Sequence, residues 1–207
     1  MKKNKPKYIK CEIDESVTFG KNVTIYPNNI IKGQTHIGDN VVLLPNNYIF
    51  DCTIGDGSVV AYSYLEQSEV GKNVKLGPYC HLRPNSIIDD DCKIGNFCEV
   101  KNSHIESGTK ASHLSYIGDS SVGKNCNIGC GVIFANYNGK EKNKINVDDN
   151  CFIGSNVNLI APLNVKTGTY VCAGSTLTVD TNEYDFVIAR ERETIKPKRA
   201  KKYLKEN

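Results

Sequence analysis

Apolar residues recur at every sixth position along most of this chain, and few folds accept that spacing. Ile13, Phe19, Ile25, Ile31, Ile37 and Leu43 keep the step without a break. It resumes through Val70, Leu76, Leu82, Ile88, Ile94 and Val100, and again through Val147, Ile153, Leu159, Val165, Val171 and Leu177. Single five-residue steps occur at Ile49 to Ile54, Val100 to Ile105 and Ile117 to Val122. A helix needs a period near 3.6 and an amphipathic strand a period of 2, so neither organises this sequence. The pattern predicts an all-β hexapeptide-repeat parallel β-helix, in which short strands make flat faces and each coil stacks on the one before. Three hexads make a coil, so residues about 18 apart, or 17 across a pentad, lie on neighbouring strands roughly 4.8 Å apart.

The fifth position of the hexad is small: Val17, Val23, Val41, Val74, Cys80, Cys92, Cys98, Cys126, Cys151, Val157 and Thr169 occupy it. Five of the nine cysteines therefore sit where a compact interior residue is wanted, and a buried thiol packs as a small hydrophobe. The cysteines form no CxxC pair and their number is odd, which fits reduced thiols better than a zinc site or a disulfide framework. Net charge is +3, with the basic excess gathered in MKKNKPKYIK and RERETIKPKRAKKYLK. Such runs read as solvated tails, which argues against a nucleic-acid partner. No run of about 18 apolar residues occurs and no apolar segment follows the basic N-terminus, so the expectation is a cytoplasmic protein with no membrane association.

The hexads break once, after Phe134. NYNGKEKNKIN, residues 136–146, is polar and reads as a loop projecting from the coil, a place where solenoids often carry function. The expected organisation is an N-terminal extension (1–12), a β-helix (13–181) with that loop, and a C-terminal cap with a basic tail (182–207).

The register also places polar residues. Arg83 follows Leu82 and Lys101 follows Val100, three hexads later, so the two cations take one slot on successive coils. Like charges stacked so closely repel unless an anion joins them, and a phosphate suits the fork of Arg and the point charge of Lys. On the preceding face Asn96, His113 and Cys130 stack, as do Glu99, Tyr116 and Ile133. His113, Glu99, Tyr116, Lys101 and Arg83 thus converge at one corner. Asn127 falls at a different corner, so a ligand touching both would lie between subunits, and three faces with closed cyclic symmetry suggest a trimer.

At these residues the sequence resembles a known family. GPYCHLRPN, EVKNSHIESGTKASHLSYIGD, SSVGKNCNIGCGVIFANYNGKEKNK, CFIGSNVNLIAP, CAGSTLTVD and FVIARER are similar to the C-terminal acetyltransferase domain of bacterial bifunctional N-acetylglucosamine-1-phosphate uridyltransferase/glucosamine-1-phosphate N-acetyltransferase. The likeness runs from about Gly77 to Arg190 with no evident gap. It implies a left-handed β-helix, a homotrimer and acetyl transfer from acetyl-CoA to the amine of glucosamine 1-phosphate, in UDP-N-acetylglucosamine synthesis. By motif, it implies that Arg83, Lys101, Tyr116, Asn127 and Lys142 bind the sugar phosphate and that His113 is the catalytic base. It assigns Asn136, Tyr137, Ser155, Ala173 and Arg190 to acetyl-CoA. Cys130 stands in GCG where the family has Ala, at a position associated with the same cosubstrate.

No GxGTRM-type nucleotide loop is present, so uridylyl transfer and its magnesium are not expected here, and a separate uridyltransferase would supply that step. The chemistry asks for a base near neutral pH, which imidazole with a reference pKa of about 6.5 supplies. Glu99 would support by orienting His113 or by touching substrate, and a backbone N–H in the Gly129 to Gly131 turn would receive the oxyanion. No metal is required. The competing readings are the same fold acting on another amino sugar or small amine, a three-histidine zinc enzyme, and a noncatalytic trimeric scaffold. Among His36, His81, His104 and His113 no HxxxxH pair favours zinc.

Overall fold

The computed structural model describes residues 10–203, and its strands follow the hexads. Each strand is two to four residues long. Residues of the repeat such as Ile31, Ile37 and Leu43 point inward and are fully buried, while their strand neighbours face out. The strands stack into three parallel sheets of ten, nine and ten strands, which we call the first, second and third faces in the order a coil visits them. The coil is a left-handed β-helix.

Register follows the step lengths. Leu82 pairs with Val100 across three hexads. Val100 pairs with Ile117 and Ile94 with Ala111, a shift of 17. The structure adds two consecutive pentads, Val60 to Leu65 to Val70, all buried, so Ile54 pairs with Val70 only 16 residues on. The hexads alone miss these because they resume visibly only at Val70.

The small interior slot is real: of its predicted occupants only Val23 is not buried. Cys52, two residues before the inward Ile54, also fills it. Its pentad hid it from the hexad count. Burial pushes the Cys52 and Cys92 thiols up to about 11 and the Cys80 thiol up to about 12. All nine cysteines are free.

Corners carry left-handed backbone. Asn22, Asn40, Asn73, Asn125 and Asn150 all have φ between 54° and 58°, a conformation asparagine tolerates because its amide bonds locally. The interruption after Phe134 ends where the strand Ile145–Val147 rejoins the second face, and a bridge between Tyr137 and Lys142 closes the loop. The stack runs past Thr181, since Phe186–Val187 pairs with Tyr170–Val171 on the third face. Beyond it comes exposed chain with one short 3-10 turn, Arg199–Lys202. Most of the expected N-terminal extension and the last four residues of the tail lie outside the described residues. Among the described residues no helix is long and apolar enough to cross a membrane.

Candidate active site

The outer surface of the first face brings His81, Glu99, Tyr116 and Ile133 into one column, since each pairs with the next. Arg83 and Lys101 emerge two residues further along their coils. Stacking places these side chains together, but the partners they choose differ from the expectation of one external anion shared by two cations. Arg83 donates from Nη1 to Glu99 Oε1 at 2.9 Å. Lys101 donates from Nζ to both oxygens of Asp119, each at 3.1 Å. Each cation already has a carboxylate of its own.

Asp119 is the hub of this cluster. Its side chain is 10% exposed. Asn102 Nδ2 donates to Oδ1 at 2.7 Å, and Asn136 Nδ2 donates to Oδ2 while reaching Tyr116 Oη at 3.5 Å. Burial disfavours the charged carboxylate, but hydrogen bonds from Asn102 and Lys101, the lysine charge and the Asn136 amide outweigh it. The Asp119 carboxyl is therefore held below the usual carboxylate range.

The projecting loop brings Lys142 to the same place. It stands beside Lys101, and the neighbouring ammonium holds Lys142 below the ordinary lysine range although Asp119 pulls the other way. Lys101 is raised: burial opposes, while the hydrogen bonds and charge of Asp119 favour its charged form. Arg83 and Lys101 thus each hold a carboxylate, whereas Lys142 makes no ion pair among the described residues and is left an uncompensated cation. An anionic group would balance it.

Gly118 leaves room for this arrangement. A Cβ there would stand 2.7 Å from Tyr116 Cζ and 2.8 Å from Asn136 Nδ2, so the phenol and the amide occupy the space a side chain would take.

His113 ends the strand Lys110–His113 on the third face and points out at the corner leading to Tyr116. It pairs with Asn96 as the register requires, and its Nδ1 lies 2.7 Å from Asn96 Oδ1. An amide oxygen only accepts, so Nδ1 carries the proton and Nε2 keeps its lone pair. The group orienting His113 is therefore Asn96 and not Glu99, which is turned to Arg83.

Cys130, Ser155, Ala173 and Arg190 rise along this same corner. Asn156 N–H donates to Cys130 C=O and Gly174 N–H to Ser155 C=O, each at 2.8 Å. A Cβ on Gly174 would lie 3.5 Å from Arg190 Cδ. All four of these residues are exposed, forming an open ladder above His113. Tyr137 is exposed on the loop and Asn136 is buried at its root. Gly129 and Gly131 commit their N–H groups to Ile153 and Leu114 carbonyls, each at 2.8 Å. Among the described residues, the Cys130 N–H between them has no such partner. Asn127 stands apart, outward between Lys110 and Phe152 at the start of its third-face strand.

Residues 64–183 match the family described as the GMPPB C-terminal domain. The chain belongs to that family. Two proteins named "Bifunctional protein GlmU", from Geobacillus sp. (strain WCH70) and Clostridioides difficile (strain 630), are each 50% identical to it over 184 residues, covering 89% of this chain and 40% of theirs. The chain thus spans less than half the length of these relatives and aligns with their C-terminal part. Among solved structures, an Arabidopsis UDP-N-acetylglucosamine acyltransferase superposes with a TM-score of 0.66 at 15% identity, over 86% of this chain and 69% of that one. A UDP-N-acetylglucosamine acyltransferase from Campylobacter jejuni reaches 0.50 at 19% identity, over 84% and 68%. At such identities these two share the fold with this member of the family.

Asp119, Asn102 and Asn96 are the residues that sequence reasoning missed. Asn96 was visible as the stacking partner of His113. Asp119 and Asn102 follow strands directly, where Asp and Asn ordinarily read as turn formers.

Proposed function

We propose that this chain transfers the acetyl group of acetyl-CoA to the amine of glucosamine 1-phosphate, giving N-acetylglucosamine 1-phosphate for UDP-N-acetylglucosamine synthesis. The observation that carries the reading is a histidine with its Nδ1 fixed by Asn96, one corner away from a cluster with an uncompensated cation. The 50% identity with bifunctional GlmU proteins over 184 residues supports the same reading.

The chemistry follows from the side chains. Arg83, Lys101 and Lys142 take the phosphate, and Tyr116 contacts the sugar. His113 Nε2 removes the proton from the amine, which then attacks the thioester carbonyl. The tetrahedral oxyanion is met by the Cys130 N–H. Collapse breaks the C–S bond, and the proton held on His113 passes to the sulfur so that the coenzyme leaves as a thiol. Acetyl-CoA lies along the Cys130, Ser155, Ala173 and Arg190 ladder, with Asn136 and Tyr137 on its other side. Base, oxyanion donor and thioester suffice, so no metal is assigned, and the cosubstrate fits a cytoplasmic enzyme.

The working unit is a homotrimer with sites between subunits. Asn127 supports this, since within one chain it is remote from the cluster it would serve. The corner beside His113 supports it independently. Tyr62, Tyr79, Phe97 and Leu114 hold positive φ there on successive coils, a conformation that is costly for bulky residues. Tyr79, Phe97 and Leu114 are 56–57% exposed. A hollow of about 670 Å³ lies against the same corner, lined in part by Tyr48, Tyr62, Tyr64 and Tyr79. Apolar residues strained into exposure gain most from contact with another copy.

The test is release of free thiol from acetyl-CoA with glucosamine 1-phosphate, glucosamine 6-phosphate and glucosamine side by side. Turnover confined to the 1-phosphate and nearly abolished by His113→Ala is expected. Turnover with none of them overturns the assignment.

A further inference from the structure

We infer that Asp119 is a positioning residue that ties the acceptor side of the site to the acetyl-CoA side. The inference rests on the proposed reading of the site, which places Lys101 at the sugar phosphate and Asn136 at the cosubstrate. One buried carboxylate accepts hydrogen bonds from both of them.

Asp119 is built as a fixed part and not as a reactive one. An ionised carboxylate offers about four lone-pair sites. Lys101 takes a share of both oxygens, Asn102 takes Oδ1 and Asn136 takes Oδ2. That leaves no free acceptor for a substrate proton. The backbone is pinned as well, since the Asp119 N–H donates to the Lys101 carbonyl at 3.0 Å and its φ is 50°, a left-handed setting that aspartate accepts. The carboxylate therefore meets three donors from separate places: a first-face strand, the corner after it, and the root of the projecting loop. Through Asn136 it also reaches the Tyr116 phenol.

Asp119→Asn keeps the size and removes the charge. One acceptor oxygen becomes an NH2 facing donors, so either Asn102 or Asn136 loses its bond, and Lys101 is left beside Lys142 without its counter-ion. Both substrates should feel the change. Lys101→Ala, in contrast, should act on the sugar phosphate and Asn136→Ala on acetyl-CoA.

Steady-state kinetics on the full chain decide the matter, with the KM for glucosamine 1-phosphate and for acetyl-CoA measured separately and thermal midpoints recorded alongside. Asp119→Asn is expected to raise both KM values by roughly 10-fold, the size of a lost charge-assisted hydrogen bond. Should that variant fail to fold, Asn102→Ala carries the test. Asn102 hydrogen-bonds Asp119 alone among side chains, and its loss should raise both KM values by a smaller factor. A rise in only one KM, or a lowered midpoint with both unchanged, refutes the coupling. Wild type without turnover on these substrates removes the reading of the site itself and the inference with it, an outcome distinct from an active wild type and an indifferent variant.

Discussion

Gly118→Ala separates the geometry of the site from the stability of the fold. The added Cβ would stand 2.7 Å from Tyr116 Cζ and 2.8 Å from Asn136 Nδ2. Carbon atoms pack comfortably at about 3.5–4.0 Å, so the ring and the amide must retreat by about 1 Å. The phenol is half-buried and the Asn136 amide is buried, but both are the ends of side chains and can shift further than backbone can. The stability cost should stay near ~1 kcal/mol, the low end for an inserted methyl group. Catalysis is less forgiving, because a misplacement of about 1 Å costs on the order of 100-fold. The expected outcome is a kcat/KM lower by roughly 10- to 100-fold with glucosamine 1-phosphate and a thermal midpoint within a few degrees of wild type. Gly95→Ala is the control. Its Cβ would meet Ser112 backbone, at 2.6 Å from the carbonyl carbon and 2.9 Å from Cα, and backbone inside a stacked coil cannot swing aside. That variant should lose far more stability. A Gly118→Ala enzyme with wild-type kcat/KM, or one as unstable as Gly95→Ala, would refute the reasoning.

Asn96→Ala should lower kcat by about 10-fold, because His113 loses the bond that fixes its tautomer, while calorimetry should show acetyl-CoA affinity unchanged; a wild-type kcat would remove Asn96 from the mechanism. A thiol reagent at pH 8 should label exposed Cys130 well before Cys52, Cys80 and Cys92, whose thiols burial holds in the protonated form, and saturating acetyl-CoA should slow the Cys130 reaction. Equal labelling rates in the native protein would contradict the packing assigned to the interior thiols. Because the Asp119 carboxyl is depressed by its partners, its stabilisation is complete above the unfolded value of about 3.9 and fades as the pH falls through the lower folded value. Melting wild type and Asp119→Asn between pH 7 and pH 3 should show the gap between them narrowing at the acid end. A constant gap would mean that the carboxylate charge contributes nothing.

The fold was legible because a solenoid repeats one decision. Each inward residue, from Ile31 to Leu177, sees the same interior, so the preference for an aliphatic side chain is restated every coil and the period stands out. Where the coil shortens, the signal weakens. Val60, Leu65 and Val70 pack as well as their neighbours, yet two successive pentads shift their spacing, and Cys52 lost its interior assignment for the same reason. The last strand, Phe186–Val187, escaped notice because Val187 is only half-buried and Phe186 is exposed. With no further coil above it, nothing demands a clean apolar pattern.

The site was legible to a different depth. Register fixes which Cα atoms are neighbours, and it placed Asn96 beside His113 and Glu99 beside Tyr116. It does not fix which neighbour a long side chain selects. Arg83 and Lys101 occupy stacked slots, and either could have reached an external anion. What decides is local charge: Glu99 lies within reach of the guanidinium, and Asp119, one coil above Lys101, presents both oxygens to its ammonium. Asp119 itself looks like any corner aspartate in sequence, as Asp51 and Asp91 do, and all three have positive φ. Asp119 differs in being buried, whereas Asp51 is half-buried and Asp91 exposed. A buried carboxylate must be met by donors, and the donors that meet this one are the lysine and the asparagine that the resemblance assigns to two different substrates. The same burial that hid Asp119 among turn residues makes it the side chain through which the two halves of the site are held in one geometry.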